Sequence, residues 1–329
     1  MGFGAFDLGG GSAEKEPCVK TAYLFPGQGS QIPGMLDRFD RPEERALVRT
    51  ASELLSADIL TISRNEPAGI LDQTRWTQPA ILLASVLAFG RLQGERPPDM
   101  VLGHSLGEYS ALVAAGALSV TDALLLVHRR GSFMQEAVPA GTGLMAAVLG
   151  PERSEVDRVL EGVRKATGGI VSVANDNCPG QCVIAGEKGA VEAGIEALRA
   201  AGVRKIVPLA VSVPSHTALM HSAALSMKDL LEKTPLGPLS VPLVANVTGM
   251  FVGPGEVAGE IRELLVRQME SPVEWTKSMV AVLGAGVTHL LEVGPGGVLA
   301  GLGKRVERAL PELAGKITWA NTDTKESKE

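Results

Sequence analysis

The chain has 329 residues, 45% of them hydrophobic and 21% charged, with a formal net charge of −6. That length exceeds one small core and suits one large α/β domain, or a large domain with a lesser one. The negative charge argues against a nucleic-acid or anionic-membrane surface, which needs basic side chains, and no apolar run reaches the about 18 residues that span a bilayer.

Residues 1–20, with Gly9 to Gly11 and Glu14-Lys15-Glu16, lack the charged start and apolar centre of a signal peptide and read as a flexible extension. Thr21 to Phe25 is apolar and ends at Pro26-Gly27, as a buried strand entering a loop does. Residues 78–92 read as a helix stopped ahead of Pro97-Pro98. Met100-Val101-Leu102 suits a buried strand, and Gly107 to Leu118 a helix with Leu112 and Ala115 inward. Thr121-Asp122 reads as the N-cap of another helix reaching about Ala137, closed by Pro139 and Gly141. Strands and helices alternating this way predict a parallel sheet covered on both faces.

The rhythm changes over residues 143–211. Leu144 to Leu149 reads as a strand, and Val156, Val159, Leu160 and Val163 fall at helical spacing. Gly169 to Val173 and Gln181 to Ala185 read as strands joined through Asn175-Asp176-Asn177-Cys178-Pro179-Gly180. Val191, Ile195 and Leu198 mark a second helix, and Lys205 to Val211 a last strand. The order βαββαβ predicts a ferredoxin-like insert. Beyond it, Val241 to Val247 reads as a strand, Glu256 to Gln268 as a helix, and His289 to Val293 as a strand ending in Gly294-Pro295-Gly296. Residues 321–329 read as a polar tail.

Gly103-His104-Ser105-Leu106-Gly107 matches the G-x-S-x-G nucleophile elbow, which sets a serine on a sharp strand-to-helix turn. Glycines flank the serine because a Cβ there would meet neighbouring backbone. Amides at the start of the following helix would face an oxyanion forming at Ser105. The fold class is therefore α/β. We expect a large α/β-hydrolase-like domain with a parallel sheet (21–142 and 212–320) and the inserted small subdomain (143–211).

A serine nucleophile needs a base, and five histidines are available. His128 and His289 fit packing or surface positions, and His104 adjoins the serine on a turn where successive side chains diverge. His216, in Val213-Pro214-Ser215-His216, sits where a loop leaves the edge of a sheet; His221 lies in a helix. Position favours His216, with a purely structural histidine as the alternative. No Asp or Glu stands out to orient the imidazole. Cys18, Cys178 and Cys182 form no paired framework, which fits a reducing, cytoplasmic setting, and Cys178-x-x-x-Cys182 lacks the companions of a metal site.

Phe25-Pro26-Gly27-Gln28-Gly29-Ser30-Gln31, Gly103 to Ser110 (GHSLGEYS), Arg130-Gly131, Phe133 to Pro139, Val213 to His216, Val266-Arg267-Gln268, Trp275-Thr276-Lys277 and Glu292 to Gly296 occur in order. As a set, over about residues 21–320, they resemble the malonyl-CoA:acyl carrier protein transacylases of bacterial fatty-acid synthesis. The resemblance implies a ping-pong transfer of malonyl from coenzyme A to the phosphopantetheine thiol of an acyl carrier protein. Ser105 would be the nucleophile and His216 the base, oriented by the backbone carbonyl of Gln268. The amides of Gln28 and Leu106 would form the oxyanion hole, and Arg130 would pair with the malonyl carboxylate, where pattern alone reads a solvated helix arginine. His104, Asn175 and Asn177 would be auxiliary.

The resemblance implies neither a metal nor a bound cofactor, with the coenzyme A thioester as donor substrate, and no nucleic-acid or membrane partner. Arg204-Lys205, Arg267 and Lys277 are candidates for docking an acidic carrier. The same fold serving polyketide synthesis, or a thioester hydrolase using water as acceptor, stand as rivals. An intact Ser105, His216 and Arg130 argue against a non-catalytic binding module.

Overall fold

β1 (Thr21–Phe25) displays how the main sheet is built. Ala22 and Leu24 enter one core, Tyr23 and Phe25 the other. A strand buried on both faces keeps no polar side, so its sequence is an unbroken apolar run. The computed structural model describes residues 19–92, 97–209, 213–255, 258–313 and 315–325. Cys18 and the expected extension up to residue 18 lie outside them.

After β1 come α1 (Pro42–Leu55), α2 (Ile59–Ser63), α3 (Thr74–Arg91), β2 (Met100–Gly103), α4 (Gly107–Ala114) and α5 (Val120–Ala137). α3 starts ahead of the expected residue 78, with Pro79 inside it. α4 stops short of Leu118 because Gly116 takes a left-handed conformation just past its end. The cap of α5 is Ser119 rather than Thr121-Asp122. Its hydroxyl accepts the Asp122 N–H at 3.1 Å.

The second unit runs β3 (Gly143–Leu149), α6 (Arg153–Thr167), β4 (Val171–Cys178), β5 (Gln181–Glu187), α7 (Lys188–Ala200) and β6 (Lys205–Pro208). These strands make a separate antiparallel sheet in the order β4-β5-β3-β6. α6 and α7 cover one face through Val156, Leu160, Val191 and Leu198. The connection expected over 175–180 is instead mostly strand, and only Pro179-Gly180 turn the chain. The register of β4 shifts there, between Val173 and Asn175 and between Asp176 and Cys178, and Asn177 bonds to His104 of the first unit. The Asp176 N–H donates to Val273 O, the Val273 N–H donates to Ala174 O, both at 2.9 Å, and the Thr276 hydroxyl donates to Asp176 O at 3.2 Å. Ala210 and Val211, expected in the last strand, lie outside the described residues.

The chain then forms α8 (His221–Lys233), β7 (Leu243–Val244), β8 (Phe251–Val252), α9 (Ala258–Gln268), α10 (Trp275–Gly284), β9 (His289–Glu292), α11 (Val298–Arg308), β10 (Thr318–Asn321) and α12 (Thr322–Lys325). The main sheet has the order β10-β9-β1-β2-β7-β8, parallel except for the β7–β8 pair. α3, α4, α5, α8 and α9 supply the core on one face, α10 and α11 that on the other. Of the strand expected over Val241 to Val247, only Leu243–Val244 is strand.

The expected tail is a correction. Asn321 closes β10, the Thr322 hydroxyl accepts the Gly294 N–H at 3.1 Å, and the Asp323 carboxylate accepts the Gly296 N–H at 2.8 Å and pairs with Arg38. These polar side chains are held because they satisfy the amides of the loop after β9. Residues 326–329 lie outside the described residues. Among the described residues no helix is long and apolar enough to cross a membrane.

α4 lies so close to β1 that a Cβ at Gly107 would fall 2.1 Å from the Phe25 carbonyl oxygen, while one at Gly162, inside α6, would meet nothing within 4 Å. Gly107→Ala should therefore cost about 1–3 kcal/mol or more by overpacking. Gly162→Ala should stabilise by about 0.4–1 kcal/mol by restricting the unfolded chain. Urea midpoints followed by circular dichroism separate the two, and a Gly107→Ala protein as stable as its parent would mean that the turn relaxes freely.

Candidate active site

Loops from the carboxyl ends of β1, β2 and β7 meet at Ser105, the usual place for a site on an open parallel sheet. A Cβ at Gly103 would lie 2.0 Å from the backbone of Gly107, so the turn closes only on glycine. Ser105 itself has φ +53°, a left-handed conformation that costs a non-glycine residue roughly 1–3 kcal/mol. Asn246, just beyond β7, holds it there. Its Oδ1 accepts the Ser105 N–H and its Nδ2 donates to Gly103 O, both at 2.6 Å.

Ser105 Oγ lies 2.8 Å from His216 Nε2, and His216 Nδ1 lies 2.7 Å from the backbone oxygen of Gln268. The carbonyl can only accept, so Nδ1 carries the proton and Nε2 is free to take the serine's. Gln268 is the last residue of α9, where a helix leaves its carbonyls without intrahelical partners. His216 is 3% exposed and has φ +61°. Burial first, and then the charge of Arg130, push its pKa down to about 3, so the imidazole is neutral.

Arg130, 1% exposed, donates from Nη1 to Gln78 Oε1 at 2.9 Å, and from Nη2 to Gln268 Oε1 at 2.9 Å and Ser105 Oγ at 3.1 Å. Its Nε has no partner among the described residues. A solvated helix-face arginine is thereby ruled out. The Gln268 amide nitrogen donates to Glu108 Oε2 at 2.6 Å and to Ser105 O at 3.0 Å. Burial pushes the Glu108 carboxyl up to about 7, opposed by bonds from Gln268 and the Asn246 backbone and by Arg130.

A cavity of about 300 Å³ opens beside Ser105, lined by Gln28, Leu106, Arg130, Met145, Asn175 and His216 among others. A Cβ at Gly27 would fall 2.4 Å from His104 O, so the loop carrying Gln28 is pressed against the elbow. Among the described residues, no protein group accepts from the amides of Gln28 or Leu106. His104 bonds through Nε2 to Asn177 Oδ1 at 2.9 Å and packs on Trp275. His128 bonds to Arg75 O, His221 to Glu270 and His289 to Thr288. None of these three reaches Ser105.

A hydroxyl against a neutral imidazole, two unengaged amides and a buried guanidinium is an arrangement chemically able to support addition to a carbonyl near an anionic group. Sequence reasoning missed Asn246, Gln78, Glu108 and the side chain of Gln268. Only Glu108 left a signal, as the one charged residue in α4 (GEYSALVA).

Residues 22–317 match the family described as the acyl transferase domain. The malonyl CoA-acyl carrier protein transacylase of Escherichia coli (strain K12) is 47% identical over 300 residues, covering 90% of this chain and 96% of that protein. A solved acyl carrier protein S-malonyltransferase from Vibrio cholerae is 39% identical with a TM-score of 0.85, over 92% of this chain and 96% of that one. A malonyl-transacylase solved in complex with its type II PKS acyl-carrier protein is 42% identical with a TM-score of 0.84, over 92% and 95%.

The depressed basicity of His216 has a sign. A base with its pKa near 3 is already unprotonated at pH 5, whereas a histidine titrating near 6.5 loses about tenfold in rate per pH unit below that value. Sulfonylation of Ser105 by phenylmethylsulfonyl fluoride is expected to be nearly flat from pH 5 to 6.5. A tenfold-per-unit fall in the labelling rate over that range would give His216 an ordinary pKa.

Proposed function

The chain belongs to the malonyl-CoA:acyl carrier protein transacylases of the acyl transferase domain family, and we propose that it works by a ping-pong route through a malonyl ester on Ser105. The observation that carries this reading is one hydroxyl oxygen placed 2.8 Å from a neutral imidazole and 3.1 Å from a buried guanidinium. Ser105 Oγ attacks the thioester carbonyl carbon while His216 Nε2 takes its proton. The amides of Gln28 and Leu106 hold the oxyanion, the latter with the N-terminus of α4 behind it. Collapse breaks the C–S bond, and the imidazolium returns its proton to the leaving thiolate of coenzyme A. The pantetheine thiol of the carrier then gives its proton to His216 and attacks the ester carbonyl; the C–O bond to Ser105 breaks and the imidazolium returns the proton to Ser105 Oγ.

Arg130 turns a planar pair of N–H donors to the malonyl carboxylate. The Gln268 carbonyl does the work of the missing carboxylate, helped by the negative end of the α9 dipole. This route needs neither a metal nor a redox cofactor. We further infer an α/β-hydrolase-like unit over 21–142 and 212–320 and a ferredoxin-like one over 143–211, which the elbow and the βαββαβ order support. The free thiols of Cys178 and Cys182 support a cytoplasmic, reducing setting. For docking the carrier, Arg267 faces Glu263 at 3.8 Å and Lys277 faces Glu274 at 3.1 Å. Arg204 and Lys205 are exposed and are the better candidates. The type II PKS complex supports polyketide carriers as a second acceptor class.

Intact-protein mass spectrometry after mixing with malonyl-CoA should detect one malonyl adduct, absent in Ser105→Ala and discharged by holo carrier protein. An adduct that survives in Ser105→Ala would move the nucleophile elsewhere, and discharge as rapid in buffer as with carrier would make the enzyme a thioesterase.

Arg130→Ala should lose roughly 10²–10³-fold in kcat/KM for malonyl-CoA, the size of a broken buried ion pair. Acetyl-CoA, which has no carboxylate to strand, should lose far less. Equal losses for both substrates would make Arg130 a structural residue.

A further inference from the structure

Glu108 is buried beside the site, and the route above gives it no task. Its Oε2 accepts from Gln268 at 2.6 Å, and the other end of the same amide accepts from Arg130 at 2.9 Å. Glu108 is 2% and Arg130 1% exposed. Above about pH 7 the free enzyme thus holds a buried anion and a buried cation, joined through one amide. A malonyl carboxylate brings a second anion to the same arginine. One buried cation does not offset two anions, and an uncompensated buried charge is relieved by protonation. The substrate carboxylate meets Arg130 directly, whereas Glu108 reaches it only through Gln268, so Glu108 is the group that gives way.

We propose that Glu108 is a buried proton acceptor for malonyl recognition, taking up one proton from solvent as the malonyl carboxylate seats on Arg130. The proposal rests on the malonyl-serine reading above. Acyl transfer from thioester to ester consumes no proton, because His216 returns the one it takes; the proton on Glu108 is additional and balances the charge brought by the substrate. The charge acting on Glu108 is that of Arg130 from α5, with Tyr109 beside it on α4 pushed up to about 12 and hence neutral. β1 and β2 carry no charged residue, and the arginines of α3 are engaged elsewhere, Arg91 with Glu44 and Arg75 with Gln73. His104 and His216 are held neutral by burial. With its carboxyl already raised to about 7, a second anion on Arg130 carries Glu108 through the physiological range.

Two measurements test this. First, kcat/KM for malonyl-CoA divided by that for acetyl-CoA, which cancels titration of coenzyme A and of the shared machinery, should fall as pH rises from 7 to 9, by up to about tenfold per unit. In Glu108→Gln, which keeps an acceptor for Gln268 but no charge, the ratio should be flat and exceed the wild-type ratio at pH 8.5. Loss of mere structural support would lower it at every pH. Second, a weakly buffered indicator assay on the wild-type enzyme at pH 8 should record uptake approaching one proton per malonyl-serine formed, and none with acetyl-CoA. Malonyl-serine formed without uptake, or a Glu108→Gln ratio that falls like the wild type's, overturns the proposal. Absence of malonyl-serine at every pH would instead overturn the functional reading.

Discussion

Gln268 stands where four parts of the chain meet. Its backbone oxygen accepts from His216, its side-chain oxygen accepts from Arg130, and its amide nitrogen donates to Glu108 and to the carbonyl of Ser105. The constraint behind this is the end of α9. A terminal helical carbonyl has no partner of its own, and a fully buried one has no water either, so it must find a donor in the protein. The imidazole that satisfies it is thereby oriented, and the side chain above aligns the arginine.

The electrostatics of the site follow from the same burial. Imidazole and guanidinium are both buried beside Ser105 Oγ, so the arginine makes an imidazolium costly in the free enzyme. In the proposed route the malonyl carboxylate is seated on that same arginine, so the group that would select the substrate also sits beside the base.

How much of this was legible in the sequence depended on what each residue's neighbours were. β1 and β2 were readable because strands buried on both faces are largely apolar, and the elbow because its glycines stand in a fixed pattern, Gly103 forced by Gly107 within the turn and Gly107 by Phe25 far back in the chain. β4 extends beyond its apolar stretch because the polar side chains of Asp176 and Asn177 face groups far away in the chain, Arg153 and His104. Asn321 to Asp323 looked like a tail for the same reason, since the loop amides they satisfy lie more than twenty residues earlier. Asn246 and Gln78 carry no local mark at all. Glu108 did, as a lone charge in an apolar helix, and the pattern could not say what it faced. Ser105 was legible from the elbow and His216 from its loop position, both before any resemblance, whereas the role of Arg130 came from resemblance alone.

The main-chain bonds between β4 and Val273 bear on which acyl groups enter. Because the second unit is stitched to the first through backbone rather than through side chains alone, that edge of the cleft cannot swing wide without losing paired peptide groups. Met134, Met145 and Leu209 line the cavity there and set the room left for an acyl chain. Broadening the range of acyl groups would therefore call for recutting that wall rather than parting the two units.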